Sequence, residues 1–232
     1  MISITDLTIS FGSIRPIDEL TLSIDSPTHG IIGPNGAGKT TLLNALSGFV
    51  TPDGGSIFAF GDDLGSLTPR HRARWGLRRT FQTEQLAEDL TAYDNVAIAL
   101  DHCGGDESRS VAEACSIVGL NQPDRFVGEL TTIDRRLTEI ARAVVGAPRL
   151  ILMDEPAAGV SGAERSRLVE LLTDLPDHSG AWLIVIDHDV ELISSVCETT
   201  TALDFGTLVA NGPTSATLAD PRVAETYLGT SA

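Results

Sequence analysis

A single lysine, Lys39, lies in a glycine-rich stretch with the pattern of a phosphate-binding loop. The stretch Gly33-Pro34-Asn35-Gly36-Ala37-Gly38-Lys39-Thr40 matches G-x-x-x-x-G-K-[ST]. In such loops backbone N–H groups surround the phosphates, the next helix contributes its positive N-terminus, and the lysine reaches the outer phosphates. We therefore expect a nucleotide with Mg²⁺, bound by Gly33, Pro34, Asn35, Gly36, Ala37, Gly38, Lys39, Thr40 and Thr41.

The residues flanking this loop have the properties of a strand and a helix. Residues 29–32 are mostly apolar and fit a short buried strand, whereas residues 41–46 fit a helix that ends near Gly48. A phosphate-binding loop requires this strand-to-helix setting. A chance match to the eight-residue pattern is the alternative, and it does not account for the flanks.

A second apolar run, residues 150–153, ends in Asp154, Glu155 and Pro156. Ligands bind at the C-terminal edge of buried parallel strands, where these carboxylates are expected to lie. Asp154 is then expected to hold Mg²⁺ together with the Thr40 hydroxyl, and Glu155 to polarise the water that attacks the γ-phosphate. The alternative is an ordinary strand followed by a solvated acidic turn.

A third apolar run, residues 181–186, is followed by Asp187, His188 and Asp189. It comes after the acidic strand by one helix-length segment, residues 162–175. In this position His188 is expected to reach the γ-phosphate and to hold the attacking water and Glu155 in place. A purely structural histidine is the alternative.

Composition and charge exclude several classes of protein. With 232 residues, 42% of them hydrophobic, the chain has enough apolar material for one large α/β domain. The formal net charge of −16 argues against direct nucleic-acid binding, which depends on lysine and arginine at phosphates. Cys103, Cys115 and Cys197 lack metal-ligand spacing and are expected to be buried or idle thiols. Without a membrane-spanning run or a secretion signal, the chain is expected to be cytosolic.

Five motifs follow one another along the chain. They are the phosphate-binding loop, Thr80-Phe81-Gln82, Leu130–Asp134 with Arg135-Arg136 and Glu139-Ile140-Ala141-Arg142, Met153-Asp154-Glu155-Pro156, and His188. This order resembles the nucleotide-binding subunits of ABC transporters over essentially the whole chain. Arg79-Thr80-Phe81-Gln82, the string from Asp154 to Gly159, and the closing motifs at 210–213 and 224–229 are similar to ATP-binding subunits of branched-chain amino acid importers.

The resemblance implies an α/β P-loop NTPase fold with a mostly parallel sheet, a small N-terminal antiparallel β subdomain and an inserted helical subdomain. In one ABC ATPase domain over 1–232, residues 1–82 and 149–232 form the catalytic core with the β subdomain. Residues 83–148 form the helical subdomain, which docks on the coupling helices of permease subunits. Phe11 matches the aromatic residue that stacks on adenine, with a phenylalanine of the strand core as the alternative.

The resemblance also assigns Gln82 to the glutamine that contacts Mg²⁺ or the attacking water and reports the nucleotide state to the helical subdomain. It therefore gives Lys39, Gln82, Glu155 and His188 as catalytic residues, and Thr40, Gln82 and Asp154 as metal-binding residues.

One motif departs from the family pattern. In these proteins the sequence L-S-G-G-Q of one subunit closes over ATP held by the other. Here the matching residues are Leu130, Thr131, Thr132, Ile133 and Asp134, so both glycines are missing. We expect Ile133 to place a branched side chain where backbone N–H groups must approach the partner's γ-phosphate. The segment Ala158-Gly159-Val160-Ser161 also lacks the family's aspartate at the dimer seam.

The residues that serve the chain's own nucleotide are present, whereas the signature that serves the partner's nucleotide is altered. This predicts a heterodimer with a second ABC ATPase subunit that has an intact signature. Adequate closure by the altered signature, in a homodimer, is the alternative.

The predicted function is ATP hydrolysis that drives import of branched-chain or related amino acids, by a subunit attached to the inner membrane face through permease subunits. Three alternatives stand beside it, and Glu155 and His188 argue against the one in which ATP is not hydrolysed. The alternatives are a soluble ABC ATPase of repair or translation, a subunit that binds ATP without hydrolysing it, and a transporter of another cargo such as urea, short amides or an exported lipid.

Overall fold

The computed structural model describes residues 1–103 and 110–228. The chain divides into two compact units, the first formed by Met1–Arg72 with Ile184–Ala232 and the second by Ala73–Leu183. The helical segment assigned from the sequence, 83–148, falls within the second unit, and Gly229 of the closing motif lies outside the described residues. None of the helices in the described parts of the chain is both long and apolar enough to span a bilayer.

The strands and helices alternate along most of the chain, as expected for an α/β protein. Within the described residues the strands are β1 (Ile2–Phe11), β2 (Ile14–Ile24), β3 (Thr28–Ile32), β4 (Gly54–Ala59), β5 (Asp62–Asp63), β6 (Leu77–Arg79), β7 (Leu150–Asp154), β8 (Trp182–Ile186), β9 (Thr199–Asp204) and β10 (Thr207–Pro213). The α-helices are α1 (Lys39–Ser47), α2 (Pro69–Trp75), α3 (Ala92–Cys103), α4 (Val111–Ile117), α5 (Thr132–Val144), α6 (Gly162–Ser179), α7 (Val190–Val196), α8 (Thr214–Leu218) and α9 (Pro221–Leu228).

The first unit contains an antiparallel sheet in the order β2-β1-β4-β5. Along β1, Ile2 and Ile4 are buried, and after a shift of register Leu7 and Ile9 are buried on the same strand. This alternation is typical of a sheet that buries one face against the core. The small antiparallel β subdomain predicted near the N-terminus is therefore confirmed.

The phosphate-binding loop follows a buried strand of the first unit. All residues of β3 are buried, and β3 pairs in parallel with β9, which pairs antiparallel with β10. The loop connects β3 to α1, and Gly48 ends α1 in the left-handed conformation with a φ of 80°. The strand-to-helix setting inferred from the sequence is thus confirmed, with the strand one residue longer and the helix beginning at Lys39.

The second unit carries the acidic strand. Here β6 pairs in parallel with β7, every residue of β7 is buried, and α3, α4 and α5 pack on one another. The helix after β7 runs to Ser179, beyond the predicted end at 175, because it continues through Pro176. Proline normally interrupts a helix, but here Gly180 closes the last turn by donating its N–H to the Pro176 carbonyl at 2.7 Å.

A buried arginine supports the helix that follows the phosphate-binding loop. Arg72 donates through Nη1 to the carbonyls of Ala45 and Leu46, and through Nε to the Leu67 carbonyl at 3.0 Å. Carbonyls at a helix C-terminus have no partner within the helix and carry partial negative charge, so a cation is favoured there. Arg72 thus stabilises the C-terminal end of α1.

The cysteine side chains of Cys115 and Cys197 are buried, and the side chain of Cys103 lies outside those that the structure describes. Cys115 and Cys197 are free cysteines, and burial raises the pKa of both, that of Cys197 to about 12. Thiols of this kind stay protonated and unreactive at neutral pH. The expectation of buried or idle thiols is confirmed for these two residues.

A fully buried histidine joins β3 to β9. The two ring nitrogens of His29 lie 2.8 Å from the hydroxyls of Thr199 and Thr201. Burial lowers the pKa of His29 to about 3. The folded protein therefore holds this histidine neutral at pH values where the unfolded chain, with a pKa of about 6.5, is protonated.

We predict that His29 makes the protein less stable in acid. Between about pH 6 and pH 3 the unfolded chain binds one more proton at this residue, so the free energy of unfolding falls by up to about 1.4 kcal/mol per pH unit. Urea unfolding at pH 7, 6 and 5 measures this slope. His29→Gln should reduce the slope, whereas the exposed His71→Gln should retain it. Equal slopes in the wild type and His29→Gln would contradict the prediction.

Candidate functional site

The phosphate-binding loop is held by backbone contacts that leave no room for a side chain at two of its glycines. A Cβ at Gly33 would lie 2.3 Å from the Leu203 carbonyl oxygen, and a Cβ at Gly38 would lie 2.2 Å from the Pro16 carbonyl oxygen. These distances are far below a van der Waals contact, so glycine is required at both positions. The loop is thereby fixed against its neighbours in the first unit.

The N-terminus of α1 has the chemistry of an anion site. Gly38 is its N-cap residue, and no side chain among the described residues caps it there. The first turn is Lys39-Thr40-Thr41 and contains no acidic residue. Its N–H groups and the positive end of the helix dipole therefore fit the phosphates of a nucleotide.

Lys39 folds back onto the loop in which it lies. Its Nζ atom donates to the carbonyls of Gly33 at 2.6 Å and Pro34 at 2.9 Å. The loop therefore sets the position of the ammonium group as well as that of its own N–H groups. Asn35, Gly36 and Thr40 are exposed, so the loop surface is accessible to a ligand.

In the second unit, Asp154 ends the acidic strand and is paired with an arginine. Arg79 Nη2 lies 3.5 Å from Asp154 Oδ2, and both side chains are buried. The Arg79 guanidinium also stacks over the Phe81 ring, 4.9 Å from its centroid. Burial lowers the pKa of Arg79, while the Asp154 carboxylate acts in the opposite direction. Arg79 was missed as a partner of this site, since nothing in the sequence indicates that β6 and β7 lie in this register.

Glu155 follows the strand in a backbone conformation that is rare for its residue type. Its φ is 51°, in the left-handed region, where a non-glycine residue costs about 1–2 kcal/mol. Its Oε2 atom accepts a hydrogen bond from Gln82 Nε2 at 2.9 Å. The structure thus brings together two residues predicted to act on the attacking water, and that role stays a prediction.

His188 lies in the first unit, two residues after the end of β8. Its side chain is 71% exposed, and its Nδ1 atom is 3.6 Å from Oδ1 of the buried Asp187. The Asp187 carboxylate also accepts from the Asp189 N–H at 2.9 Å, which fixes its orientation. An exposed imidazole beside a fixed carboxylate suits a residue that contacts a ligand, which is what the sequence predicts for it.

Phe11 and Phe205 are among the exposed aromatic residues of the first unit. Phe11 ends β1 and is 53% exposed, so the alternative that it is a strand core residue is wrong. Phe205, in the turn before β10, is 83% exposed and lines a hollow with Pro34, Asn35 and Gly36. Phe205 was missed in the sequence as an exposed aromatic residue beside the phosphate-binding loop. A phenylalanine between Asp204 and Gly206, in a turn between two strands, is the signal that was available.

The altered signature forms the N-terminus of α5, and one expectation about it is wrong. Ile133 does not face outward, because its side chain is only 5% exposed. Ile133, Leu137 and Ile140 lie at helical spacing and are all buried, so they form the core-facing side of α5. Ile133 therefore cannot obstruct a partner's phosphate in the way the sequence suggested.

The N-terminus of α5 is instead occupied by its own side chains. Thr131 is the N-cap, and its Oγ1 atom accepts from the Asp134 N–H at 3.2 Å and donates to Asp134 Oδ2 at 2.8 Å. A carboxylate thus stands where an incoming anion would need N–H groups and positive charge. This is the opposite of the N-terminus of α1.

The residues predicted to give oxygen ligands to Mg²⁺ lie in both units, and their role stays a prediction. They are the Thr40 hydroxyl in the first unit and the Gln82 amide and Asp154 carboxylate in the second. Hydroxyl, amide and carboxylate oxygens are the ligands that Mg²⁺ takes together with phosphate oxygens. Each of these side chains thus has an oxygen of a kind that fits this metal ion.

Comparisons with known proteins agree with this chemistry. The family model described as ABC transporter matches residues 18–158. The chain is 31% identical to the high-affinity branched-chain amino acid transport ATP-binding protein LivG of Escherichia coli, over 99% of this chain and 98% of LivG. It is also 31% identical to BraF of Pseudomonas aeruginosa, a protein of the same description, with the same coverage.

A solved structure of an ATP-binding cassette of an ABC transporter, in its ADP conformation, is similar to the whole chain. The TM-score is 0.85 at 26% identity, over 99% of this chain and 98% of the cassette. The predicted fold, a P-loop NTPase of the ABC ATPase type, is thereby confirmed. Because the family model covers more than half of the chain and the relatives match almost all of it, the chain belongs to the ABC transporter family, as an ATP-binding subunit that hydrolyses ATP to drive transport.

Proposed function

We propose that this ATPase drives the import of branched-chain or related amino acids. The similarity to LivG and BraF extends over nearly the whole length of each protein, which supports this cargo class. ABC ATPases work with transmembrane permease subunits, and we propose that such subunits hold this chain at the inner face of the cell membrane. The permease subunits and their extracellular binding proteins select the cargo, and the ATPase supplies the energy.

The geometry of the phosphate-binding loop is the observation that supports a nucleotide site. Gly33 and Gly38 pack too closely for any side chain, the N-terminus of α1 is left for an anion, and Lys39 is already held on the loop. We propose that the residues from Gly33 to Thr41 bind the phosphates and that the exposed Phe11 stacks on adenine.

For hydrolysis, we propose that Glu155 polarises the attacking water and that Gln82 holds both the water and the Glu155 carboxylate. The 2.9 Å hydrogen bond between Gln82 and Glu155 supports this assignment. His188 is proposed to contact the γ-phosphate through its exposed imidazole. Thr40, Gln82 and Asp154 are the residues that would hold Mg²⁺, and the ion would neutralise charge on the phosphate oxygens.

We also propose that the working pair is a heterodimer. The support is the contrast between two helices of this chain. The bulk of Ile133 gives no support, because that side chain is buried. The N-terminus of α1 lacks an acidic residue, whereas Asp134 puts a carboxylate into the first turn of α5. A negative charge at this position opposes a second anion by about 0.3–1 kcal/mol when exposed and more when buried. The partner subunit would then supply the intact signature over this chain's ATP.

We predict that leucine uptake depends on Glu155. In cells that contain the transporter, Glu155→Gln should reduce uptake of radiolabelled leucine to background, because the water is no longer activated. Unlabelled valine and isoleucine should compete with leucine in the wild type, and urea should not. Glu170→Gln, an exposed change on α6, is the control and should keep normal uptake. Glu155-dependent uptake of urea, with none of leucine, would contradict the cargo assignment.

We predict that a Glu155→Gln chain stays monomeric with ATP and Mg²⁺, at the 24.5 kDa of one chain. Adding Asp134→Gln removes the carboxylate from the N-terminus of α5, and the double variant should form a dimer of twice that mass. Light scattering measures the mass, and a fluorescent ATP analogue checks binding. Glu155→Gln with the exposed change Asp124→Gln is the matched control and should stay monomeric. A stable Glu155→Gln homodimer would contradict the heterodimer.

A further inference from the structure

Residues 82–88, all of them described, form neither helix nor strand. This glutamine segment begins at the proposed catalytic Gln82. Because it has no ladder of backbone hydrogen bonds of its own, other groups must fix its position. One face of α5 does so, through Arg135, Glu139 and Arg142, which lie four and three residues apart on the same side of the helix.

The centre of this contact is the backbone of Gln85. Its N–H donates to Glu139 Oε1 at 3.2 Å, and its carbonyl accepts from Arg142 Nη1. Both polar groups of one peptide residue are thus held by side chains of α5. Gln85 lies three residues after Gln82, so this contact limits where Gln82 can stand.

Arg135 adds a second contact between α5 and the glutamine segment. Its Nε atom donates to Glu84 Oε2 at 2.7 Å, and its Nη2 atom donates to Glu88 Oε1 at 3.1 Å. A guanidinium that binds two carboxylates of one segment holds that segment in a defined geometry. The two contacts lie on either side of Gln85.

Glu139 is an unusual residue to find in this position. It is only 4% exposed, and its second oxygen, Oε2, accepts from the buried Arg136 Nη1 at 2.6 Å. Burial raises the pKa of Glu139, and the Arg136 charge acts against that shift. Buried ion pairs add little to stability, because the cost of removing both charges from water offsets their attraction. A role in geometry explains the presence of Glu139 better than a role in stability.

We propose that Glu139 is a positioning residue for ATP hydrolysis: it holds the Gln85 backbone and thereby keeps the Gln82 amide on the Glu155 carboxylate. Arg135 is a second anchor of the same segment. Neither residue touches the nucleotide. The inference rests on the proposed function, in which Gln82 and Glu155 act on the attacking water.

A double-mutant cycle with Gln82 tests this inference. Glu139→Gln keeps the size of the side chain but replaces one of its two oxygens with an NH2 group, which cannot accept, so the contact to either Gln85 or Arg136 is lost. In the transporter complex purified through this chain, Glu139→Gln should lower kcat about tenfold and change KM for ATP less than twofold. In the Gln82→Ala background, the same change should lower kcat less than twofold, because the residue through which it acts is absent.

The controls separate positioning from folding. Glu170→Gln, an exposed change in the same unit, should leave kcat unchanged. Arg135→Lys keeps the charge but loses the guanidinium that binds both Glu84 and Glu88. It should lower kcat about threefold, and only when Gln82 is present. The exposed Arg125→Lys is its matched control. Thermal unfolding of each variant checks that the chain is folded.

The outcomes are distinct. A fall in kcat that persists in the Gln82→Ala background overturns the inference, and so does an unchanged kcat in both Glu139→Gln and Arg135→Lys. A Gln82→Ala variant with wild-type kcat overturns the inference and also the role of Gln82. Failure of the proposed function would give a different result: Glu155→Gln would hydrolyse ATP as fast as the wild type.

Discussion

Close backbone packing around the phosphate-binding loop is the constraint on which the rest of the site depends. The carbonyls of Leu203 and Pro16 approach the loop so closely that Gly33 and Gly38 have no space for a Cβ. The loop cannot shift without breaking these contacts, so it presents its N–H groups in one arrangement. The same rigidity lets the carbonyls of Gly33 and Pro34 hold Lys39 before any ligand arrives. Binding therefore requires little rearrangement of the loop, which reduces its entropic cost.

The N-termini of α1 and α5 differ in whether their N–H groups and positive charge are available to a ligand. A helix N-terminus attracts anions unless the chain supplies one itself. At α1 the cap is a glycine and the first turn has no acidic residue, so the charge is available to a phosphate. At α5 the Thr131 hydroxyl and the Asp134 carboxylate take up the same groups. This contrast between the two N-termini is the basis of the proposed heterodimer.

The sequence predicted those features that depend on local pattern and on the identity of single residues. The loop, its flanking strand and helix, and the acidic strand follow from glycine spacing and apolar runs. The N-terminal antiparallel sheet follows from the resemblance to the family. The structure does not test the catalytic roles of these residues. The predicted orientation of Ile133 was wrong. Which face of a helix is buried depends on the packing of the whole helix, and here Ile133 is buried together with Leu137 and Ile140.

Contacts between distant parts of the chain could not be predicted from the sequence. The pairing of Arg79 with Asp154 joins residues 75 positions apart, and the contact of Glu139 with Gln85 joins residues 54 positions apart. Each needs the register of two elements in three dimensions. The capping of α5 by Thr131 and Asp134 was different, since a threonine followed three residues later by an acid is a local signal.

The central claim is that the loop around Lys39 binds the phosphates of ATP. Because Lys39 is the only lysine in the chain, labelling with ¹⁵N-lysine gives a single side-chain ammonium group to observe by NMR. Titration with ATP and Mg²⁺ should shift the Lys39 Nζ signal as the ammonium exchanges the Gly33 and Pro34 carbonyls for phosphate oxygens, and adenosine should leave it unchanged. A Lys39 signal that does not move at millimolar ATP and Mg²⁺ would contradict the account.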